Sequence, residues 1–328
     1  MPPTALEALA REARTEQPLV ARGVTDAGSM YDTIWATFRD DVAPWATLDY
    51  AQDVIAGRLL ASIRATAGPE RPSVAIVSSP AIFDQAGVLE PFEAPFADRF
   101  PPGWADAAGR WTPLYVQPIV AIYNVHRTRP PRGWLALGDG LEPGRLVFDD
   151  PVRMLTTGPA LAELSSTFGE AGWEALIRSL ADRRPNLVAD NERAVLEVST
   201  GARWVGLSNW NVARRVRPGT PVRHTFLSPT PCIPGFGLLV RDAPNAGLAR
   251  LFLAWLGSDR AQQAYARTGR IPARLNVDAS PSLTEILPAG VEPLFGTADW
   301  LTDPARWTQR FRDLLPADRD GAREGKLR

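Results

Sequence analysis

Residues 185–214 read PNLVADNERAVLEVSTGARWVGLSNWNVAR, and residues 228–274 read SPTPCIPGFGLLVRDAPNAGLARLFLAWLGSDRAQQAYARTGRIPAR. Apolar positions three and four apart predict a helix over 189–199, and the short apolar run 203–207 predicts a strand. Ser208-Asn209-Trp210-Asn211 then form a polar-aromatic corner. A second strand is expected near 222–227, a Pro-rich passage after it, an apolar strand over 235–240, and two amphipathic helices to close. Helices alternating with short apolar strands are the pattern of an α/β chain.

The rest of the chain carries the same alternation. Residues 18–24 (PLVARGV) read as a buried strand and 25–28 as a tight turn, with Ser29 as N-cap of a helix over 30–40. The strand 72–77 (PSVAIV) ends in Ser78-Ser79-Pro80. Residues 111–125 (WTPLYVQPIVAIYNV) form a long apolar stretch centred on Gln117-Pro118. After RLVFDDP at 145–151, Thr156-Thr157-Gly158-Pro159 open another helix, with hydroxyls and free N–H groups at its positive end. An amphipathic helix over 304–315 closes the chain.

A chain of 328 residues is long enough for two lobes, each with its own core. Its formal net charge of -1 argues against nucleic acid or an anionic membrane as main partner. One cysteine, Cys232, allows neither an internal disulfide nor a Cys metal cluster, and reads as a small core residue. No run reaches the ~20 apolar residues of a membrane span. The first twenty residues read as an amphipathic helix, not a signal peptide, which taken alone favours the cytoplasm.

Several short motifs in this order resemble the type II periplasmic solute-binding proteins, in particular the ferric-ion-binding-protein-like branch. The matching residues include Thr200-Gly201, Pro244-Asn245, Ala249, Phe252, Gln262-Gln263 and Gly269 to Pro272, with Tyr123-Asn124 and Asp149-Asp150-Pro151 upstream. Ala202 departs from the acidic residue usual in that pattern. The resemblance implies an α/β fold of two lobes, each a mostly parallel sheet flanked by helices, with a ligand cleft between them that closes by a hinge. Lobe 1 would comprise 1–117 with 236–285, and lobe 2 would comprise 118–235 with 286–328, with crossings near 114–121 and 228–236. It implies a receptor of an ABC-type importer that works as a monomer, with a membrane permease as partner. It also implies a periplasmic or extracytoplasmic location after removal of a signal peptide; a cytoplasmic location is the alternative.

No placed nucleophile–base pair accompanies His126 or His224, and no phosphate-binding glycine motif occurs, so no enzyme, cofactor or metal is expected. In the resembled branch, iron is held by a His, a Glu and two tyrosines. Those positions fall here at Ala27 or Gly28, at Ser79, and at Trp210-Asn211, and none suits a hard cation. What remains are neutral groups and one aromatic plate: Ser29, Ser78, Ser79, Gln117, Thr156, Thr157, Asn209, Trp210 and Asn211. They suit a small anionic or polar organic solute. An iron(III) transport protein and a solute-sensing module for a signalling partner stand as alternatives.

Overall fold

The computed structural model describes residues 5–13, 18–23, 28–52, 56–153, 156–295 and 299–315. In chain order its helices are α1 (Ala5–Glu12), α2 (Gly28–Asp41), α3 (Ala56–Ala65), α4 (Ala81–Gln85), α5 (Thr157–Glu163), α6 (Ser165–Asp182) and α7 (Asn191–Ser199). Then follow α8 (Trp210–Ala213), α9 (Ala246–Leu256), α10 (Asp259–Arg267), α11 (Leu283–Ile286), α12 (Asp299–Thr302) and α13 (Pro304–Leu314). The strands are β1 (Leu19–Gly23), β2 (Leu48–Gln52), β3 (Val74–Val77), β4 (Thr112–Asn124), β5 (Leu146–Asp149) and β6 (Asn186–Val188). They continue with β7 (Val205–Asn209), β8 (Val222–Thr225), β9 (Thr230–Leu239), β10 (Ile271–Pro272) and β11 (Pro293–Phe295).

The chain divides into two compact units. The first is Met1–Gln117, Ile233–Pro288 and Phe295–Thr302; the second is Pro118–Cys232, Ala289–Leu294 and Asp303–Arg328. The expected division had given 233–235 and all of 286–328 to the second lobe, whereas 233–235, 286–288 and 295–302 belong to the first unit.

In the first unit the strand order is β2-β1-β3-β9-β4, with β10 added to β4. β1 runs parallel to β2 and β3, and β9 runs against β3 with Val77 opposite Phe236. The core packs Met30, Ile34 and Phe38 of α2 against Phe252 and Trp255 of α9. Phe38 meets both of those rings edge-on, at 5.1 and 5.2 Å between centroids. This is the apolar stripe that the i, i+4 spacing of Ile34 and Phe38 prescribes.

The family-like motif residues in this unit turn out to be braces. Asn245 is fully buried; its carbonyl oxygen accepts from the Ser73 hydroxyl and its amide donates to the Pro18 carbonyl. It thereby ties the starts of β1, β3 and α9 together. Gln262, also fully buried, donates to the carbonyls of Leu114 (3.0 Å) and Leu256 (2.8 Å) and accepts from the Arg274 N–H (3.2 Å). Each satisfies main-chain groups that burial would otherwise leave without water or partner.

In the second unit the order is β4-β7-β5-β6, with β8 on β4. β5, β6 and β7 are mutually parallel and β4 runs against β7. Its core includes Trp173 of α6, whose ring meets Trp307 and Phe311 of α13 edge-on at 5.1 and 5.6 Å. The passage read as Pro-rich loop is the first half of β9, a ten-residue strand buried throughout. Pro231 and Pro234 lack an N–H, yet both precede the segment from Phe236 onward that pairs with β3.

Candidate functional site

In open α/β sheets, ligands gather outside the carboxyl ends of the strands. Both units place polar side chains there, and each set is described within its own unit.

In the first unit, Ser78 and Ser79 follow directly on β3 and are 6% and 1% exposed. The Ser79 hydroxyl has no hydrogen-bond partner among the described residues. Gln117, at the end of the unit's share of β4, accepts a hydrogen bond from Arg270 Nη1 at 3.4 Å. Ser29 does not fill the N-cap position expected for it. α2 already starts at Gly28, one residue ahead of Ser29, and the Ser29 side chain lies outside the described residues.

Behind this edge lies a group of tyrosines that sequence reasoning missed. Tyr31 and Tyr50 stack at 4.4 Å, and Tyr115 and Tyr265 tilt against each other at 5.5 Å. Burial, reinforced by the other phenols of the group, holds the Tyr31 hydroxyl well above the ordinary tyrosine range; burial likewise raises that of Tyr265. Tyr31 and Tyr265 therefore keep their protons at neutral pH. Arg270, the residue before β10, is only 5% exposed, and its guanidinium lies over the Tyr115 ring at 5.1 Å. A cation next to a short Ile-Pro strand, five residues after a buried tyrosine, was the available signal. It was overlooked because arginine is read by default as surface.

In the second unit, β5 ends in Asp149, which is fully buried. Thr157, the first residue of α5, donates its hydroxyl to Asp149 Oδ1 and its N–H to Asp149 Oδ2 at 3.4 Å. The hydroxyl expected to serve a solute is thus committed to this carboxylate, and Thr157 is fully buried. Burial raises the Asp149 pKa to about 6 in spite of the Thr157 hydrogen bonds, which lower it; the neighbouring Asp150 adds to the rise. Thr156 occupies the N-cap position of α5 without a capping hydrogen bond from its side chain, and is partly exposed.

The polar corner is not a loop. Asn209 is the last residue of β7 and the cap of α8, its Oδ1 accepting from the Val212 N–H at 2.9 Å. Its own N–H donates to Asn191 Oδ1 at 2.8 Å, which fixes the end of β7 to the start of α7. Trp210 is 8% exposed and carries the Arg214 guanidinium over its ring at 4.7 Å; Asn211 is 1% exposed. A buried, capped turn of helix thus presents Trp210 and Asn211 with little freedom to move.

The described residues hold no group of three or more His, Cys, Asp or Glu close enough to share a metal ion. His224 sits in β8 with its ring edge-on to Phe226 at 6.0 Å, and burial lowers its pKa. No described helix is long and apolar enough to cross a membrane.

Structures with this arrangement are known. AfuA, a periplasmic binding protein from Actinobacillus pleuropneumoniae solved with exogenous fructose-6-phosphate, matches with a TM-score of 0.74 at 17% identity, over 91% of this chain and 98% of that one. Iron-bound HitA from Pseudomonas aeruginosa matches with a TM-score of 0.73 at 18% identity, over 90% of this chain and 99% of that one. The ferric binding protein from Campylobacter jejuni gives 0.74 at 14% identity, over 90% and 99%. At these identities the likeness speaks for the fold. No curated protein sequence matches the chain. The family model of bacterial extracellular solute-binding proteins, however, matches residues 74–300, from β3 through the second crossing of the chain to α12. By that match the chain belongs to the bacterial extracellular solute-binding protein family.

Proposed function

We propose that this protein is the receptor of an ABC-type importer for a small polar or anionic organic solute, working as a monomer outside the cytoplasmic membrane and handing its cargo to a membrane permease. Ser29, Ser78, Ser79 and Gln117 of the first unit, with Thr156, Asn209, Trp210 and Asn211 of the second, are the groups we assign to the solute. Thr157 acts behind them, holding the start of α5 on Asp149. The role is capture, not catalysis.

The observation that carries this reading is the Ser79 hydroxyl at the end of β3, 1% exposed and without a hydrogen-bond partner among the described residues. Buried polar groups cost free energy unless they meet a partner, and a bound solute supplies one. An aromatic plate flanked by amides is the chemistry of a polyhydroxylated or oxyanion-bearing solute.

Mass spectrometry of what is released from the natively purified protein tests the reading. A stoichiometric small solute is expected. Trp210→Ala, with the fold kept by circular dichroism, should weaken its rebinding about tenfold or more, since losing a buried contact of this kind costs ~1–3 kcal/mol. Rebinding at wild-type affinity by calorimetry would show that Trp210 stands away from the solute.

A further inference from the structure

We infer that the amino edge of the second unit's sheet is a docking surface for an anionic lipid bilayer, a basic face with exposed apolar side chains set into it. The inference goes beyond the solute-binding reading and does not depend on it, because the solute groups assigned to this unit stand at the other edge.

Two loops meet at the amino edge. Tyr123, near the end of β4, lies opposite Val205 at the start of β7 and opposite Arg223 of β8. Asn209, at the carboxyl end of β7, lies instead opposite Ile119. Val125 donates its N–H to the Pro221 carbonyl at 2.8 Å, so the loop after β4 and the loop before β8 run about one strand spacing apart, roughly 4.8 Å. Asn124, 3% exposed, fixes the first loop. Its Oδ1 accepts from the His126 N–H at 3.0 Å, its side-chain amide donates to the Val198 carbonyl at 2.8 Å, and its own carbonyl accepts from the Arg127 N–H at 3.0 Å. In the second loop the Thr220 carbonyl accepts from Arg223 Nη1 at 2.8 Å, and the Thr220 N–H donates to the Arg217 carbonyl at 3.3 Å.

The charge comes from what these segments lack. Residues 125–138 and 198–232 contain no Asp or Glu. Arg127, Arg129, Arg132, Arg217 and Arg223 are exposed and have no acidic partner among the described residues. Glu197, one residue before the second stretch, is already held by Arg193 at 3.1 Å and Arg203 at 3.4 Å. Like charges gathered on one face repel one another, and an anionic partner relieves that repulsion. The formal charge of -1 for the whole chain averages this face against acidic residues elsewhere.

The apolar side chains choose the partner. Val125, Leu135 and Leu196 are 42%, 60% and 50% exposed, three of the four large apolar side chains that stand out from the described surface. Val125 begins the first loop and Leu135 follows Arg132 by three residues. Leu196 lies one helical turn before Thr200-Gly201, and a Cβ on Gly201 would stand 3.4 Å from Arg127 Nε. Trp204, partly exposed, accepts the Asn124 N–H on its carbonyl at 2.9 Å and carries the Arg145 guanidinium over its ring at 5.0 Å. Arginine beside exposed valine, leucine and tryptophan is the chemistry of a lipid interface. Guanidinium groups meet the phosphates, the indole sits at headgroup level, and aliphatic side chains enter the boundary beneath. A soluble polyanion would leave the aliphatic side chains without a role.

The test is co-sedimentation of the full chain with vesicles of equal parts phosphatidylglycerol and phosphatidylcholine, against vesicles of phosphatidylcholine alone. Wild type should bind the anionic vesicles at about 0.1 M salt, ignore the neutral ones, and dissociate near ~1 M, where charges are screened beyond about 3 Å. Each basic residue at such a surface is worth about fivefold, so the double variants Arg127→Gln with Arg129→Gln and Arg217→Gln with Arg223→Gln should each bind about tenfold or more weakly. Leu135→Ser should weaken binding by less. All these side chains are exposed, and circular dichroism checks that the fold is kept. Arg39→Gln with Arg64→Gln, two exposed arginines of the first unit, removes the same charge and should leave binding unchanged. An equal loss in that pair overturns the inference, since net charge and not this face would then decide. Wild type that ignores the anionic vesicles also overturns it; if the double variants then lose solute transport in cells, the face belongs to an acidic protein surface instead.

Discussion

Asp149 offers the sharpest thermodynamic test of how the second unit is held together. Its carboxyl is fully buried at the end of β5, and its pKa is raised from 3.8 to about 6. At ~1.36 kcal/mol for each pH unit, that rise amounts to roughly 3 kcal/mol. The sign follows from proton counting. The folded state holds the proton up to about pH 6 while the unfolded chain releases it near 3.8, so folding takes up a proton between those values. Below that window the carboxyl is neutral in both states. As pH rises through it, stability is lost, and above about 6 the full cost of an ionised buried carboxylate stands. Asp149→Asn removes the titration. The new amide can accept from the Thr157 N–H and donate to its hydroxyl oxygen, and any difference in those bonds is independent of pH. The difference in unfolding free energy between wild type and Asp149→Asn, from urea titrations at a series of pH values, should therefore fall by roughly 3 kcal/mol between about pH 4 and pH 7 and then level off. Thr157→Val removes the hydroxyl that lowers the pKa and should push the midpoint of that fall to higher pH. Parallel stability profiles for wild type and Asp149→Asn across the window would refute the reasoning.

Two further outcomes are expected. Asn245→Ala strands the buried Ser73 hydroxyl and the Pro18 carbonyl; at about 1–3 kcal/mol for each group left unpaired it should lower stability by ~2–5 kcal/mol, read as a drop in the urea midpoint with an unchanged slope. Added ferric ion should produce no visible phenolate-to-iron absorption, because the described residues hold no cluster of His, Cys, Asp or Glu to share a metal ion and burial keeps Tyr31 and Tyr265 protonated. A stoichiometric absorption band would overturn that expectation.

Much of the fold was legible because apolar periodicity reports burial directly. β1, β3, β7 and the paired helices α9 and α10 fall close to where their spacing placed them. The first half of β9 was not legible, since Pro231 and Pro234 look like turn punctuation and only the long-range pairing of the strand shows the passage to be part of a sheet. The helix start at Gly28 moved off Ser29 by a single turn position, a shift that local capping preferences do not resolve. The candidate site divided along the same line. The places of Ser78, Ser79 and Asn209 at strand ends were legible because strand ends can be read from the apolar runs. The partner of Thr157 is eight residues upstream on another element, and Arg270 acquires its meaning from a strand more than 150 residues away. Long-range pairing of polar groups leaves no periodic trace in the chain.

Asn245 has one more implication, about how such a receptor diversifies. It fastens the amino ends of β1 and β3, the opposite ends of those strands from the ones where Ser78 and Ser79 stand. Asn245, one of the residues that make kinship visible in the chain, therefore stands away from the strand ends to which the solute is assigned, and those ends can be rewritten for another cargo without loosening this fastening.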